Sequence, residues 1–443
     1  MRIQNELYNL LKNLSRPEKI LFSTILIFIF SFKQIATAPD FVITHKFTLA
    51  NARLTNEFSE REEFSEAEKT VEAFMRRWSI AGASVAIAKD GKLIYSKGFG
   101  YADKASMTPV QPYNKFRIAS ISKLVTAVAI MKLAEEGRLS LDNKVFGSDG
   151  ILNDPYFSNP VDRQVFEITV EHLLSHEGGW SQRFGDQMFM SLFISETMGV
   201  NPPADVKTII RFALNRRLHF KPGTELSYSN LGYAILGLVI EKITGTTYEE
   251  HCQKAVLEPL GIYDMAIAGN LQSEKAIYEV TYYEPSNAAL RKSIYGTGEM
   301  TPASYGGNDI RTLGASGAWI ATAPDLMRLL LAVDGFSTRP DILSQESINR
   351  MTGNRRAPLG WRSVGRDGVW QRTGSFSGTS CIMSRQANGI SWVVLLNSST
   401  WNGSTLQTHI NEMMTKAISQ INELPDYNLF HYSLPVPVTP PTP

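Results

Sequence analysis

Cysteine is scarce in this chain. Only Cys252 and Cys381 stand among 443 residues, which excludes a disulfide framework and a cysteine-rich metal site and leaves at most one bridge that nothing in the sequence supports. Histidine is scarce too, with seven. The one suggestive group, His172 and His176 followed by Glu177, has the spacing of two zinc ligands on a helix. It lacks the order of the helical zinc-protease signature and a third ligand, so it is read as structural, and no metal or organic cofactor is expected. Net charge is almost absent, at +1, so no global field draws the chain to nucleic acid, which is not expected as a partner. Internal repeats are missing. Long apolar runs are missing as well, with one exception.

That exception is Ile20–Phe32, "ILFSTILIFIFSF". A spanning helix wants about 20 apolar residues, so the run has the length of a signal-peptide core. Arg2, Lys12, Arg16 and Lys19 precede it and "ATA" at 36–38 follows. Residues 1–38 therefore read as a signal peptide. Pro39 is a poor mature start and the polar lead is long, so an uncleaved membrane anchor is the competing reading. Either one exports the rest, to a periplasm or the outer face of the cytoplasmic membrane, with membrane contact through this segment alone if it is retained. No cysteine follows the run, which excludes a lipoprotein anchor.

What is present is an ordinary globular composition, 43% apolar and 20% charged, enough for a large core. Residues 39–64 read as a linker, 65–422 as one domain, and 423–443 as a Pro-rich, extended and disordered tail. Ser65 with Glu68 forms a capping-box pattern, and Val71, Phe74, Met75 and Trp78 follow at helical spacing. Two β-rich runs then flank Asp90-Gly91. A second such hairpin flanks Asn388-Gly389, and Leu406, Ile410, Met413, Met414, Ala417, Ile418 and Ile421 predict a closing helix. The middle, from about 118 to 335, is mainly helical. The fold expected is α+β: one antiparallel sheet with helices on both faces, the terminal helices covering one of them, and a mainly helical region beside it.

Three short stretches can carry chemistry. In "RIASISKLVTAVAIMKLAEEG", Lys123 lies three residues after Ser120, on one helix face. The helix beyond is apolar nearly all round, as buried helices are. Burial favours the neutral amine, and a neutral amine beside a hydroxyl is its general base. Ser122 is the rival hydroxyl but points elsewhere. In "LSYSN", Tyr228 and Asn230 sit two apart just before a helix and can face one pocket; read alone they are a packing aromatic and an N-cap. The third stretch is "WQRTGSFSG", with Arg372 placed where chain and solvent meet and Gly374 letting a ligand lie close to a strand.

Ser120 and Lys123, then Tyr228 and Asn230, then Thr373-Gly374 follow the motif order of the serine penicillin-recognising enzymes. The chain resembles their class C branch, which holds β-lactamases, D,D-carboxypeptidases, D-aminopeptidases and related esterases. "FRIASISK", "ITVEHLLSHEGGW", "KPGTELSYSNLGYAILGLVIEKITG", "EPLGI", "SGAWIATAPDLMRLL" and "TGSFSGTS" resemble its blocks in order, over residues 65–420. The resemblance implies a β-lactamase/transpeptidase-like fold and an acyl-enzyme. It implies Ser120 as nucleophile, Lys123 as its base, Tyr228 as proton relay, and Asn230 holding the substrate amide and Lys123. Thr373 and Gly374 would form the opposite wall, and the Ser120 and Ser375 N–H groups the oxyanion hole. The family usually carries lysine or histidine before Thr-Gly, where this chain has Arg372. An arginine is no general base, but it can grip a substrate carboxylate or answer an acidic neighbour. The expected partner is a small-molecule or peptide substrate: a D-amino-acid peptide, a β-lactam or a small ester. A non-catalytic ligand sensor on the same fold is the alternative. Residues 266–309 read as the pocket rim.

Overall fold

Residues 54–354 and 356–432 are described by the computed structural model; the apolar N-terminal run and the last residues of the tail lie outside them. Helix α1 (Ser65–Trp78) leads into strands β1 (Gly82–Lys89) and β2 (Lys92–Asp103). Asp90 and Gly91 turn between them with φ of 48° and 78°, the two positive values that let a two-residue hairpin follow the twist of its strands. Strand β3 (Thr108–Pro109) pairs with β2. The short strands β4 (Phe116–Arg117), β5 (Ala266–Ile267) and β6 (Trp319–Ala321) form a separate sheet in the order β4-β6-β5. Late in the chain come β7 (Ser363–Val364), β8 (Trp370–Phe376), β9 (Thr379–Arg385) and β10 (Ile390–Leu396).

The main sheet has seven strands in the order β3-β2-β1-β10-β9-β8-β7. Its early and late halves meet at the antiparallel β1/β10 pair, with Val85 opposite Val394. Strand parity divides the core in two. Val85, Ile87, Ile382, Val394 and Leu396 face α1 and the closing helix α6 (Gly403–Ser419), which supplies Leu406, Ile410, Met413, Met414 and Ala417. Ala86, Ala88, Cys381, Met383, Val393 and Leu395 face the helical body. That body holds α2 (Ser122–Glu135), α3 (Asn230–Thr244), α4 (Ile310–Gly317) and α5 (Ala323–Leu331). The expected α+β architecture, with the terminal helices together on one face, is the one observed. Each fully buried aliphatic side chain in these two layers contributes about 1.5–3 kcal/mol of transfer free energy.

Three local expectations need correction. The Ser65 capping box does not form: no side chain caps α1, and Glu68 is drawn away to Lys97 at 2.9 Å and the Tyr95 hydroxyl at 3.1 Å. A pair across the sheet edge has won over a local cap. Residues 54–64 are not linker. Leu54 is fully buried, Asn56 bonds the backbone of Gly98 and Val110, and Ser59 Oγ accepts from and Ser59 donates to the Ser96 backbone. The tail stays packed to residue 432, because Asn428 Oδ1 accepts from Leu93 N–H and Leu429 and Phe430 are buried. Cys252 and Cys381 are both free and buried.

Candidate active site

Helix α2 is buried at every position from Ser122 to Met131, as its unbroken apolar sequence demands. Its N-terminus is the tight turn Ala119–Ile121, and Ala119 takes φ of 46°. Ser120 is half-buried at that turn, while Lys123 one turn on has no exposed surface. Lys123 Nζ donates to Asn230 Oδ1 at 2.6 Å, to the Ser316 carbonyl at 2.6 Å and to Ser120 Oγ at 3.3 Å. Tyr228 enters from the loop before α3, its hydroxyl 2.6 Å from Ser120 Oγ. Ser229, not Asn230, caps that helix by accepting from Gly232 N–H, which frees the Asn230 amide for the site. Ser122, the rival hydroxyl, is buried and accepts from Trp319 N–H at 3.2 Å.

The electrostatics follow from burial and neighbours. Burial pulls Lys123 down to about 8, with Arg372 pushing the same way and Tyr228 and Asp186 opposing. Burial alone would push the Tyr228 phenol up. The charges of Lys123 and Arg372, and hydrogen bonds to Lys123 and Ser120, outweigh it and bring it to about 8. Two groups in contact that lose protons in one range titrate as a pair. Three acceptors surround Nζ, which is the number an ammonium can serve; a neutral amine has one N–H fewer. Those three acceptors suit Lys123 as a cation, since a neutral amine would leave one of them without a donor. Tyr228, whose hydroxyl donates to Ser120 Oγ, is the other group within proton-transfer reach of the nucleophile.

Strand β8 forms the opposite wall, but not as the sequence suggested. Arg372 is 1% exposed and turned inward, and its Nε donates to the Ser120 carbonyl at 2.7 Å. Its Nη2 has no hydrogen-bond partner, and no ion pair to it is formed, among the described residues. So Arg372 neither sits at the solvent boundary nor answers an acidic neighbour. Gly374 faces the same way, and a Cβ there would lie 2.2 Å from the Ile118 carbonyl oxygen. The glycine admits the nucleophile's own turn against the strand, rather than a ligand. Gly374→Ala should accordingly cost about 1–3 kcal/mol of stability, seen as a lower melting temperature. Thr373 pairs with Ile382, which faces the terminal helices, so parity turns the Thr373 and Ser375 side chains away from Ser120. Their backbone is another matter. The Gln371 carbonyl accepts from Arg362 N–H on the β7 side. Backbone groups alternate along a strand, so those of Thr373 and Ser375 point to that same edge. There β7 has ended, leaving the Ser375 N–H at an open strand edge.

The two histidines read as structural have structural work. His172 Nδ1 accepts from Thr169 N–H within a helix cap, and His176 Nδ1 accepts from Ser229 N–H while its ring packs 4.6 Å from that of Tyr228. Burial, then the charges of Lys123, Arg372 and Arg362, holds His176 well below its ordinary range. Among the described residues no cluster of three His, Cys, Asp or Glu could hold a metal.

Compared with known proteins, residues 67–412 match the sequence model of the β-lactamase family. The chain belongs to the β-lactamase family. Membership gives the family and its fold; the activity is a separate question. It is 33% identical over 208 residues to Protein flp of Staphylococcus aureus (strain N315), covering 47% of this chain and 38% of that one. Penicillin-binding protein 4* of Bacillus subtilis (strain 168) is 28% identical over 201 residues, covering 45% and 41%. The matched stretch thus spans about two fifths of each curated relative. Among solved structures, the octameric penicillin-binding protein homologue from Pyrococcus abyssi is 26% identical, with a TM-score of 0.60 over 80% of this chain and 77% of that one. The D-amino acid amidase from Ochrobactrum anthropi SV3 shares the fold at 20% identity and a TM-score of 0.62, over 82% and 99%.

Four participants in this β-lactamase-family site had no place in the sequence reading. Ser316 lies in the quoted "SGAW" block, yet acts only through its carbonyl. Tyr233 stacks under Lys123 with its ring centroid 5.5 Å from Nζ. Asp186 accepts from Asn230 Nδ2 at 2.6 Å and carries no motif. Arg117, fully buried on β4 just before the nucleophile turn, bonds the Ser304 and Gly269 carbonyls at 2.7 and 3.0 Å and pairs with Glu279 at 3.8 Å. Residues 266–309, expected as rim, therefore also anchor the turn from beneath.

Proposed function

We propose that the chain is an exported serine hydrolase that forms an acyl-enzyme on Ser120 and cleaves esters or amides without relying on a carboxylate beside the scissile bond. The observation that carries this reading is the 2.6 Å approach of the Tyr228 oxygen to Ser120 Oγ, next to a lysine whose three N–H groups all meet oxygen. In the competent form Lys123 is an ammonium and Tyr228 a phenolate. Ser120 Oγ gives its proton to Tyr228 and bonds to the carbonyl carbon, whose oxygen takes the negative charge facing the Ser120 and Ser375 N–H groups. The bond to the leaving group breaks, and that group takes the proton from Tyr228. Water then gives a proton to Tyr228 and attacks the acyl carbon; Ser120 departs and recovers the proton. The inward turn of Arg372 supports neutral substrates over carboxylates. The stacked pair Phe189 and Phe376, with rings 5.7 Å apart, supports an apolar group near the reacting carbonyl, since Phe376 follows Ser375.

Full-length protein treated with a fluorophosphonate and with a labelled penicillin, weighed intact and then mapped by digestion, tests the reading. One fluorophosphonate adduct on Ser120 is expected. No adduct with either reagent would point to a ligand-binding domain. The proton inventory gives a further expectation: kcat/KM for a neutral ester should rise with unit slope from about pH 5, level off near pH 8 as the Lys123–Tyr228 pair loses its surplus proton, and fall in an alkaline limb once Lys123 gives up its own. A flat profile would show that Tyr228 is not the base. Export is supported by the basic residues ahead of Ile20–Phe32. No helix among the described residues is long and apolar enough to cross a membrane, and that run lies outside them. Protease accessibility on intact cells would test this part.

A further inference from the structure

Asn230 links the site to a residue outside the reacting group. A lysine has donors only, so the Asn230 atom facing Lys123 is the amide oxygen, and Nδ2 points the other way. There it meets Asp186 Oδ2 at 2.6 Å. Gln182 Nε2 donates to the same oxygen at 2.9 Å, while Oδ1 accepts from Met188 N–H at 3.1 Å and fixes the turn Gln187–Phe189. The carboxylate is thus held from three sides, half-buried, with one oxygen committed to Asn230.

We propose that Asp186 is a positioning residue that acts through Asn230, locking its amide so that the oxygen always faces Lys123 and the lysine keeps its proton. This rests on the reading of Lys123 as the site's cation. Without Asp186 the amide can rotate by half a turn and aim Nδ2 at Nζ, donor against donor. Asp186 also adds a carboxylate charge felt at Lys123, where the other groups facing it are Tyr228 from the loop, Tyr233 from α3, the neutral His176 and the Arg372 cation on β8; the Arg362 cation acts on His176. Asp186 has a second consequence. It takes one of the two Nδ2 N–H groups, so Asn230 keeps a single donor for a substrate amide.

The test is a pH–rate comparison of wild type, Asp186→Asn, Asn230→Ala and the double variant in the full chain, with a neutral ester. Asparagine at 186 has one oxygen for two tasks. It must abandon either Met188 N–H or the pair Gln182 Nε2 and Asn230 Nδ2. Asp186→Asn should lower kcat/KM about tenfold, the scale of one charge-assisted hydrogen bond. The alkaline limb of its profile should move to lower pH, because Lys123 gives up its proton more readily. The same change in the Asn230→Ala background should add little. Asp186→Glu, which retains the charge, should keep more of the wild-type profile. An unmoved alkaline limb, or an equal loss with and without Asn230, would overturn the proposal; a melting temperature recorded for each variant separates a merely loosened turn. The wild-type fluorophosphonate adduct is measured first. Its absence would remove the hydrolase reading itself, and the clamp with it, whereas a normal adduct with an unmoved Asp186→Asn profile removes the clamp alone.

Discussion

Tyr228→Phe is expected to lower kcat/KM by about 10³-fold, within the 10²–10⁴ range of a positioned general base, with little change in melting temperature. The ring keeps its place against His176 and beneath Lys123, so packing survives. What disappears is the one oxygen within 2.6 Å of Ser120 Oγ. Lys123 stands at 3.3 Å with its N–H groups spread over three acceptors, and serves as a poor substitute. The residual rate should also lose the rise toward pH 8, since the remaining base is no longer half of a coupled pair. Steady-state hydrolysis of a neutral ester across pH measures both. A variant that keeps more than about a tenth of wild-type kcat/KM would return the base role to Lys123, each tenfold being about 1.4 kcal/mol of barrier.

The second large effect concerns Arg372. A buried cation with no carboxylate partner among the described residues is costly, and Arg372 is 1% exposed. Arg372→Met should therefore leave the fold as stable as before or more so. Activity should still fall by about 10²-fold, the size of a lost electrostatic contribution to a reacting site. Two causes act together. The Nε hydrogen bond that fixes the Ser120 carbonyl is gone, and so is the positive charge that helps Tyr228 release its proton. The acidic limb of the pH profile should then move to higher pH. Neutral and carboxylate-bearing esters should lose equally. A loss confined to carboxylate substrates, read as KM rather than kcat, would restore the role of a substrate grip.

The fold was legible where local chemistry decides it. Asp90-Gly91 and Asn388-Gly389 turn the hairpins because few other dipeptides accept those angles. The apolar run after Lys123 could only be buried. What escaped depends on long-range pairing. Residues 54–64 contain no pattern of their own, and Asn56 is held by the Gly98 and Val110 carbonyls, 42 and 54 positions away. Asp186 reaches Asn230 across 44 positions from a loop. Arg372 failed for a different reason. "WQRTGSF" has no clean polar–apolar alternation, so nothing in it declares which parity faces the core, and a charged residue is assigned outward by default. The resemblance brought Ser120, Lys123, Tyr228 and Asn230 to one place correctly, yet could not say which of them keeps the proton.

Ala119, a side-chain-bearing residue at φ of 46°, holds the chain in a conformation worth roughly 1–3 kcal/mol of strain, one position before the nucleophile. Protein engineering for heat resistance would meet this directly. Ala119→Gly relaxes the turn, so a library screened on thermal tolerance alone would retain it, while Ser120 drifts from the geometry on which its reactivity depends. For this scaffold, thermal selection and turnover selection have to be applied together.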